Sequence, residues 1–384
     1  MSSVPSPPGP PVPGAMVGLG EIVAERAIVV CCGSGGVGKT TISAAFALEA
    51  ARRGRRACVV TIDPAKRLAD ALGVDTLSNT ACRIDGDWPG ELWALMLDSK
   101  GTFDDLVRRY APSPEQAEGI LANRIYRNLS GALSGTQEYM AMEKLYELAH
   151  DGGFDLIVVD TPPTRNALDF LDAPERMADF FSSRLLRWLI VPYRSRLVNF
   201  ASKPFYQVAD RILGTQFLAD IAEFFILFQT MYDGFVERAR AVQRLLADRR
   251  TSFIVVSTLE TVPLREAEYF AQAITERKLH LGAIVLNKVL PDYLRDSSTA
   301  RLAQHMADQV DALAEGLTDD PVVAARVLRE VAESFLHFGI VARREAEQQN
   351  ELKGAPDILV TVPFFDADIF DMEGLIRLGR QVWD

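Results

Sequence analysis

The chain has 384 residues, of which 48% are hydrophobic and 24% are charged, and its formal net charge at pH 7 is -11. That length and hydrophobic content are enough for the core of one large domain, with or without an insertion. The acidic balance argues against broad nucleic-acid binding, because proteins meet the phosphate backbone with dense lysine and arginine. We therefore expect no nucleic-acid partner.

The N-terminal segment, residues 1–20, is rich in proline and has neither the basic start nor the apolar core of a secretory signal. We predict that it is a disordered tail. In the rest of the chain no apolar run reaches the roughly 18 to 20 residues that span a bilayer. This pattern predicts a soluble, cytoplasmic protein, with peripheral contact at a membrane as an alternative.

The chain has four cysteines and no Cys-x-x-Cys pair, so the ligand spacing of a structural zinc site is missing. Three of them lie in apolar, strand-like runs: Cys31, Cys32 and Cys58. We interpret these three as small buried hydrophobic residues. No disulfide framework is indicated, which fits a reducing compartment.

Apolar, β-branched runs recur along the chain, and helical segments separate most of them. The predicted strands cover residues 27–32, 57–62, 92–97, 155–159, 253–257, 283–286 and 358–362, and a helix is predicted over residues 39–53. Strands that are apolar throughout and alternate with helices indicate a doubly wound α/β fold with a mainly parallel sheet. In such sheets ligands bind beyond the carboxyl ends of the strands.

Two long gaps break this alternation, from residue 97 to 155 and from residue 160 to 253, and both are rich in helix formers. We predict that they build a helical subdomain from about residues 98–150 and 165–250. It would be inserted into one domain that spans residues 21–384.

Residues 33–40 read Gly-Ser-Gly-Gly-Val-Gly-Lys-Thr, between a predicted strand and a predicted helix. This is the context that a phosphate-binding loop requires, and a chance glycine-rich turn is the alternative. The helix would point its positive end at the phosphates. Lys39 would neutralise the β- and γ-phosphates, the Thr40 hydroxyl would ligate magnesium, and Thr41 would reach the α-phosphate. The backbone would wrap the phosphates at Gly35, Gly36, Val37 and Gly38. The loop therefore predicts a P-loop NTPase that binds ATP with Mg²⁺.

Two further segments follow predicted strands. Residues 61–68 read Thr-Ile-Asp-Pro-Ala-Lys-Arg-Leu, and residues 159–165 read Val-Asp-Thr-Pro-Pro-Thr-Arg. With Gly-Gly-Val-Gly-Lys-Thr-Thr, they resemble the arsenical-pump ATPase family (ArsA), which includes the ATPase of guided entry of tail-anchored membrane proteins. The resemblance runs from about Arg26 to the C-terminus. It implies a dimeric ATPase that couples ATP hydrolysis to conformational change and to the handling of a client or membrane protein.

By this resemblance, Asp63 lies in the first switch and polarises the attacking water. Asp160 lies in the second switch and holds magnesium through a water. A carboxylate one strand away from the phosphate loop can orient such a water on physical grounds alone. The alternative for each aspartate is a helix N-cap after a strand. The candidate catalytic residues are Lys39, Asp63 and Asp160, and the candidate metal ligands are Thr40, Asp63 and Asp160.

The resemblance also indicates where adenine would bind. Asn287 follows a predicted strand at a position that contacts adenine in the family, and its amide can bond a donor and an acceptor of the base. Pro363, Phe364 and Asp366 resemble the family's adenine-flanking loop. For Lys288, which follows Asn287, a solvated charge in a loop is an equal alternative to a contact with adenine. Glu138 resembles a family position of less clear role, or is a surface carboxylate.

One residue of the phosphate loop departs from the family pattern. The family reads Gly-Lys-Gly-Gly, and that lysine crosses the dimer interface to the partner's nucleotide, whereas this chain has Ser34. A short neutral side chain cannot deliver that charge. We expect a heterodimer with a paralogue that keeps the lysine. A homodimer in which Arg165 substitutes, or weak hydrolysis, are the alternatives.

Residues 180–209 contain no aspartate or glutamate, and arginine and lysine alternate there with large apolar residues. A basic amphipathic helix binds an apolar partner helix or an anionic membrane, but these residues also fit simple packing of the subdomain. The zinc clasp of the tail-anchored-protein ATPase and any cysteine cluster for arsenite are missing. The rival hypotheses are an ATP-binding scaffold subunit of low activity and a partition-type ATPase.

Overall fold

A computed structural model of the chain describes residues 16–63, 65–129, 136–162, 231–315, 317, 320–352 and 358–383, together with residues 220 and 224. The strands are β1 (Ile28–Cys32), β2 (Arg56–Thr61), β3 (Cys82–Ile84), β4 (Glu91–Met96), β5 (Leu156–Asp160), β6 (Thr251–Ser257), β7 (Leu281–Val289) and β8 (Leu359–Pro363).

The described helices fall into two groups along the chain. The first is α1 (Met16–Glu25), α2 (Lys39–Arg52), α3 (Arg67–Leu72), α4 (Ser99–Tyr110), α5 (Pro114–Ala122), α6 (Arg124–Leu129) and α7 (Thr136–Asp151). The second is α8 (Tyr232–Ala247), α9 (Thr261–Glu276), a 3-10 turn (Asp292–Arg295), α10 (Ser297–Asp308), α11 (Val310–Glu315), α12 (Pro321–Glu351) and α13 (Met372–Trp383).

The eight strands form one sheet in the order β3-β4-β2-β5-β1-β6-β7-β8. Every neighbouring pair is parallel except β3 and β4. β1 lies at the centre between β5 and β6, and its residues are all buried. The predicted α/β class and the mainly parallel sheet are confirmed.

Helices cover both faces of the sheet. Alternate residues of a strand point to opposite faces, so each strand contributes side chains to two cores. Val29 and Cys31 belong to the core formed with α1, α2, α3 and α13. Val30 and Cys32 belong to the core formed with α4, α5, α7, α8 and α9. Apolar side chains on both faces explain why the central strands read as continuous hydrophobic runs.

The predicted strands are all present, with shifted ends. β7 runs on to Val289, so Asn287 and Lys288 lie inside the strand rather than after it. The short antiparallel strand β3 was not predicted, because three residues are too few to show the alternation of a strand. Cys31, Cys32 and Cys58 are buried and unbridged, as predicted.

The predicted subdomain lies partly within the described residues. From residue 99 to residue 151, α4, α5, α6 and α7 occupy most of the chain, and α8 lies within the second predicted stretch. The basic segment 180–209 and Arg165 lie outside the described residues. α1 starts at Met16, inside the range predicted as a tail. Among the helices that the structure describes, none is long and apolar enough to cross a membrane.

Candidate functional site

The carboxyl ends of three neighbouring strands bring the predicted motifs together. Asp160, the last residue of β5, pairs in register with Cys31 of β1 on one side and with Thr61 of β2 on the other. The phosphate loop follows β1, and the segment with Asp63 follows β2. Three motifs that are far apart in sequence therefore meet at one edge of the sheet.

A cavity of about 540 Å³ opens at this edge. Nine of the predicted residues line it: Gly36, Gly38, Lys39, Thr40, Thr41, Asp63, Asn287, Pro363 and Phe364. Gly35, Val37, Asp160 and Asp366 are not among the lining residues. A second cavity, of about 730 Å³, lies at the amino ends of β7 and β8 and contains none of the predicted residues.

Glycine is required at two positions of the phosphate loop. Gly38 has a φ of 95°, and a Cβ on it would lie 2.2 Å from the Asn287 side-chain nitrogen. Gly33 has a φ of 147°, and a Cβ there would lie 2.1 Å from the carbonyl oxygen of Val256. Left-handed backbone and close neighbours both exclude larger residues. The loop therefore owes its shape to packing against β6 and β7.

Lys39, the first residue of α2, is 6% exposed, and its ammonium donates a hydrogen bond to the Ser34 carbonyl at 2.6 Å. Burial lowers the pKa of Lys39, and the nearby carboxylate of Asp160 opposes that shift. The Lys39 ammonium therefore links the C-terminal end of the phosphate loop to Ser34 near its start. It is thus positioned inside the loop, where the sequence predicted a phosphate-binding cation.

Asp160 is fully buried, and one of its carboxylate oxygens, Oδ2, accepts two hydroxyl hydrogen bonds. Thr40 Oγ1 donates at 2.8 Å and Thr61 Oγ1 at 2.9 Å. The other oxygen, Oδ1, is buried without a partner in the described structure. Burial raises the pKa of Asp160 to about 6, against the two hydroxyl hydrogen bonds that lower it.

This arrangement fits a magnesium ion. Hydroxyl and carboxylate oxygens are the hard donors that Mg²⁺ prefers, and a buried carboxylate oxygen without a partner normally has an explanation such as an ion or water. Thr40 and Asp160 would hold the ion, the aspartate directly or through a water. Within the described residues, the hydrogen bonds that the Asp160 carboxylate accepts come from threonine hydroxyls and not from helix N–H groups.

Asp63 faces the same cavity from the β2 side. Its Oδ1 accepts from the backbone N–H of Ala65 at 3.0 Å, and Arg67 lies 3.7 Å from its Oδ2. The residue that caps α3 is Lys66, so Asp63 is not that helix's N-cap. Gln137 of α7 donates to the neighbouring carbonyl of Ile62 at 3.0 Å. The segment that carries Asp63 is therefore tied to the helical layer.

Asn287 and Lys288 contact the phosphate loop itself. The Asn287 amide donates to the Val37 carbonyl at 2.8 Å, and Lys288 Nζ donates to the Gly36 carbonyl at 3.4 Å. Asn287 Oδ1 accepts from the backbone N–H of Lys288. Lys288 is exposed and also lines the cavity.

The segment after β8 forms the far wall of the cavity. The Phe364 N–H donates to the Val289 carbonyl at 2.8 Å, and the Phe364 ring is 54% exposed at the mouth. Phe365, Ala367, Asp368 and Ile369 line the cavity beside it. Of this group, only Pro363 and Phe364 had been predicted from sequence.

Ser34 contacts its own chain. Its hydroxyl donates to Glu266 Oε2 of α9 at 2.5 Å. Glu266 was not predicted, since a carboxylate on the polar side of an amphipathic helix carries no sequence signal for a loop contact. Thr61 was also missed, although a polar residue that ends a buried strand beside a predicted site was an available signal. The side chain of Glu138 lies outside the described part of the chain.

Comparison with known proteins agrees with this geometry. The sequence pattern of the anion-transporting ATPase family matches residues 26–334. The ATPase GET3 of Malassezia globosa is 26% identical over 265 residues, which is 68% of this chain and 72% of that protein. The ATPase get3 of Aspergillus terreus is 25% identical over 335 residues, 85% of this chain and 88% of that protein. The ATPase ARSA1 of Chlamydomonas reinhardtii is 27% identical over 336 residues, 80% of this chain and 40% of that protein.

Proposed function

We propose that this chain, which belongs to the anion-transporting ATPase family, binds ATP with Mg²⁺ and hydrolyses the bond to the γ-phosphate. The observation that carries the proposal is the hydrogen bond between Thr40 and the buried Asp160, at the mouth of a phosphate loop that holds Lys39. These groups belong to the ends of two neighbouring strands, β1 and β5. Their convergence has no role in packing the core and suits a metal-bound polyphosphate.

The proposed roles follow from position. Lys39 would neutralise the β- and γ-phosphates, and Thr41, which also lines the cavity, would contact the α-phosphate. Mg²⁺, when bound, would supply positive charge that neutralises the phosphates. Thr40 and Asp160 are the residues that would hold it. The purine would lie between the Asn287 end of β7 and the Pro363–Phe364 segment.

Asp63 is the proposed residue that orients the attacking water. It lines the cavity on the β2 side, and its side chain is 17% exposed, so it is accessible from inside the cavity. Positioning and electrostatic stabilisation supply most of the rate in phosphoryl transfer. A carboxylate that holds water in line with the γ-phosphate would supply the positioning part of that rate.

Hydrolysis would be coupled to movement of the helices. Gln137 of α7 is bonded to the Ile62 carbonyl, immediately before Asp63. A shift of the Asp63 segment on loss of the γ-phosphate would therefore displace α7 through this hydrogen bond. Order and position changes of this kind are how γ-phosphate switches work in other NTPases. By family resemblance, the process served is the handling of a membrane-protein or other hydrophobic client in the cytoplasm.

The proposed assembly is a heterodimer with a related subunit that has lysine at the position of Ser34. Ser34 supports this because its hydroxyl is bonded to Glu266 of the same chain and carries no charge. The same contact favours a second candidate function, in which the chain is an ATP-loaded scaffold of low intrinsic activity. Lys39, Thr40, Asp63 and Asp160 are retained, which favours the catalytic role.

Isothermal titration calorimetry of the full chain with ATP, with and without Mg²⁺, tests the binding step. We expect binding that Mg²⁺ strengthens and that is lost in Lys39→Ala. Phosphate release by the chain alone and with its related subunit then separates the two candidates. A scaffold would release no phosphate at its own site in either mixture, whereas the proposed ATPase would be activated by the partner.

A further inference from the structure

Lys288 has a backbone conformation that lysine normally avoids. Its φ is 61°, and among the described non-glycine residues only Lys278 shares a positive φ. The register between β7 and β8 shifts between Leu286 and Val289, so Lys288 lies in an irregular stretch of the ladder. Such irregularities re-aim side chains beside functional sites, and left-handed backbone persists where the surroundings hold it. The conformation directs attention to what the Lys288 side chain touches.

Lys288 and Asn287 each donate to one of two consecutive carbonyl groups of the phosphate loop, Lys288 from an exposed side chain. Lys288 Nζ donates to the Gly36 carbonyl at 3.4 Å, and the Asn287 amide donates to the Val37 carbonyl at 2.8 Å. In a trans peptide, the carbonyl of one residue and the N–H of the next lie in one plane and point in opposite directions. A donor that fixes the Gly36 carbonyl therefore fixes the direction of the Val37 N–H, and the Asn287 contact does the same for the Gly38 N–H.

We propose that Lys288 is a positioning residue, which aims the Val37 N–H of the phosphate loop at the phosphates by holding the Gly36 carbonyl. The inference rests on the proposed function, because it requires a polyphosphate in this cavity. It goes beyond that function because it makes Lys288 a hydrogen-bond donor to the loop. The alternative roles are a cation that contacts the phosphate and a side chain that contacts the base.

Two variants separate the donor from the charge. Lys288→Met removes both the N–H donor and the charge. Acetyl-lysine installed at position 288 removes the charge but keeps an N–H donor on the same nitrogen. Lys278→Met is the matched control, because Lys278 shares the left-handed backbone and does not line the cavity. The measurement is the dissociation constant of Mg-ATP and of tripolyphosphate with Mg²⁺, on the full chain, with melting temperatures confirming that every variant is folded.

Positioning predicts that Lys288→Met weakens ATP and tripolyphosphate by the same factor, about 5- to 10-fold, the effect of one lost hydrogen bond. The acetyl-lysine variant and Lys278→Met should remain within about twofold of the wild type. Equal weakening in the methionine and acetyl-lysine variants would overturn the proposal in favour of a direct phosphate cation.

The remaining outcomes are also decisive. Weaker ATP with unchanged tripolyphosphate would mean that Lys288 contacts the base, and no change in either ligand would mean that it has no role; both results contradict positioning. If the wild type binds neither ligand, the proposed function itself fails. That result is distinguishable from the others because it does not involve a variant.

Discussion

The Ser34 hydroxyl donates a hydrogen bond to Glu266 Oε2 at 2.5 Å, and both residues belong to the same chain. In the family that this sequence resembles, the corresponding position is a lysine that serves the partner's nucleotide. Here α9 holds the second residue of the phosphate loop from within the chain. A carboxylate at this place would also capture any lysine introduced at position 34.

That geometry predicts the outcome of restoring the lysine. In Ser34→Lys, the new ammonium should pair with Glu266, and phosphate release by the complex with the related subunit should change less than about twofold. Adding Glu266→Ala should free the lysine and raise release roughly tenfold or more, given what a charge supplied in trans contributes to phosphoryl transfer. Ser34→Lys with Glu268→Ala is the control on the same helix. Strong activation by Ser34→Lys alone would show that Glu266 does not capture the lysine.

A second prediction concerns the buried carboxylate at the end of β5. Asp160→Asn keeps the size of the side chain but removes the charge that a magnesium site requires. We expect Mg²⁺ to improve ATP binding at least about tenfold in the wild type and less than about twofold in this variant, by calorimetry at pH 7.5. Asp151→Asn, on the exposed end of α7, should behave as the wild type. A variant that retained the full magnesium effect would exclude Asp160 from the metal site.

A third prediction concerns a buried ion pair in the helical layer. Glu143 of α7 lies 3.1 Å from Arg238 of α8, and burial raises the pKa of Glu143 to about 7 in spite of the arginine. The folded state therefore holds this proton more tightly than the unfolded chain, where the pKa is near 4.5. The stability that this proton contributes is complete below about pH 4.5 and is lost as the pH rises through 7.

The comparison of wild type with Glu143→Gln isolates this effect. Between pH 5 and pH 8, the free energy of unfolding of the wild type should fall relative to the variant by on the order of 1–3 kcal/mol. Urea denaturation at several pH values measures it. A constant difference across that range, or one that grows with pH, would mean that Glu143 is already ionised at pH 5.

A fourth prediction follows from the two left-handed lysines. Glycine adopts positive φ without the steric penalty of a side chain, so Lys278→Gly and Lys288→Gly should each stabilise the fold by up to about 1 kcal/mol. Only Lys288→Gly should also weaken ATP binding, because it removes the contact to the Gly36 carbonyl. Thermal melting and ATP titration check the two parts separately. If Lys288→Gly bound ATP as tightly as Lys278→Gly, the lysine would have no part in the site.

Much of this fold could be predicted because its central strands are apolar on both faces and stop at polar residues with recognisable spacing. The phosphate loop was predicted from its glycine spacing between a strand and a helix, and Asp63 and Asp160 were predicted from the family resemblance and from their places at strand ends. Glu266, Thr61 and Arg67 were not, since their contacts join elements far apart in sequence and use residue types that are ordinary on surfaces and strand ends. Lys288 was left between two interpretations, because the strand irregularity that turns it toward the loop has no local sequence signature.

The most direct test of the central claim is phosphate release from Mg-ATP by the purified full chain, compared with Asp63→Asn, with ATP binding measured on both. We predict slow release by the wild type that stops on removal of Mg²⁺. Asp63→Asn should lower it about 100-fold or more while ATP affinity changes less than about threefold, because the loss is in orienting water and not in binding. Release that is equal in the two proteins, or a wild type that does not bind Mg-ATP, would contradict the account.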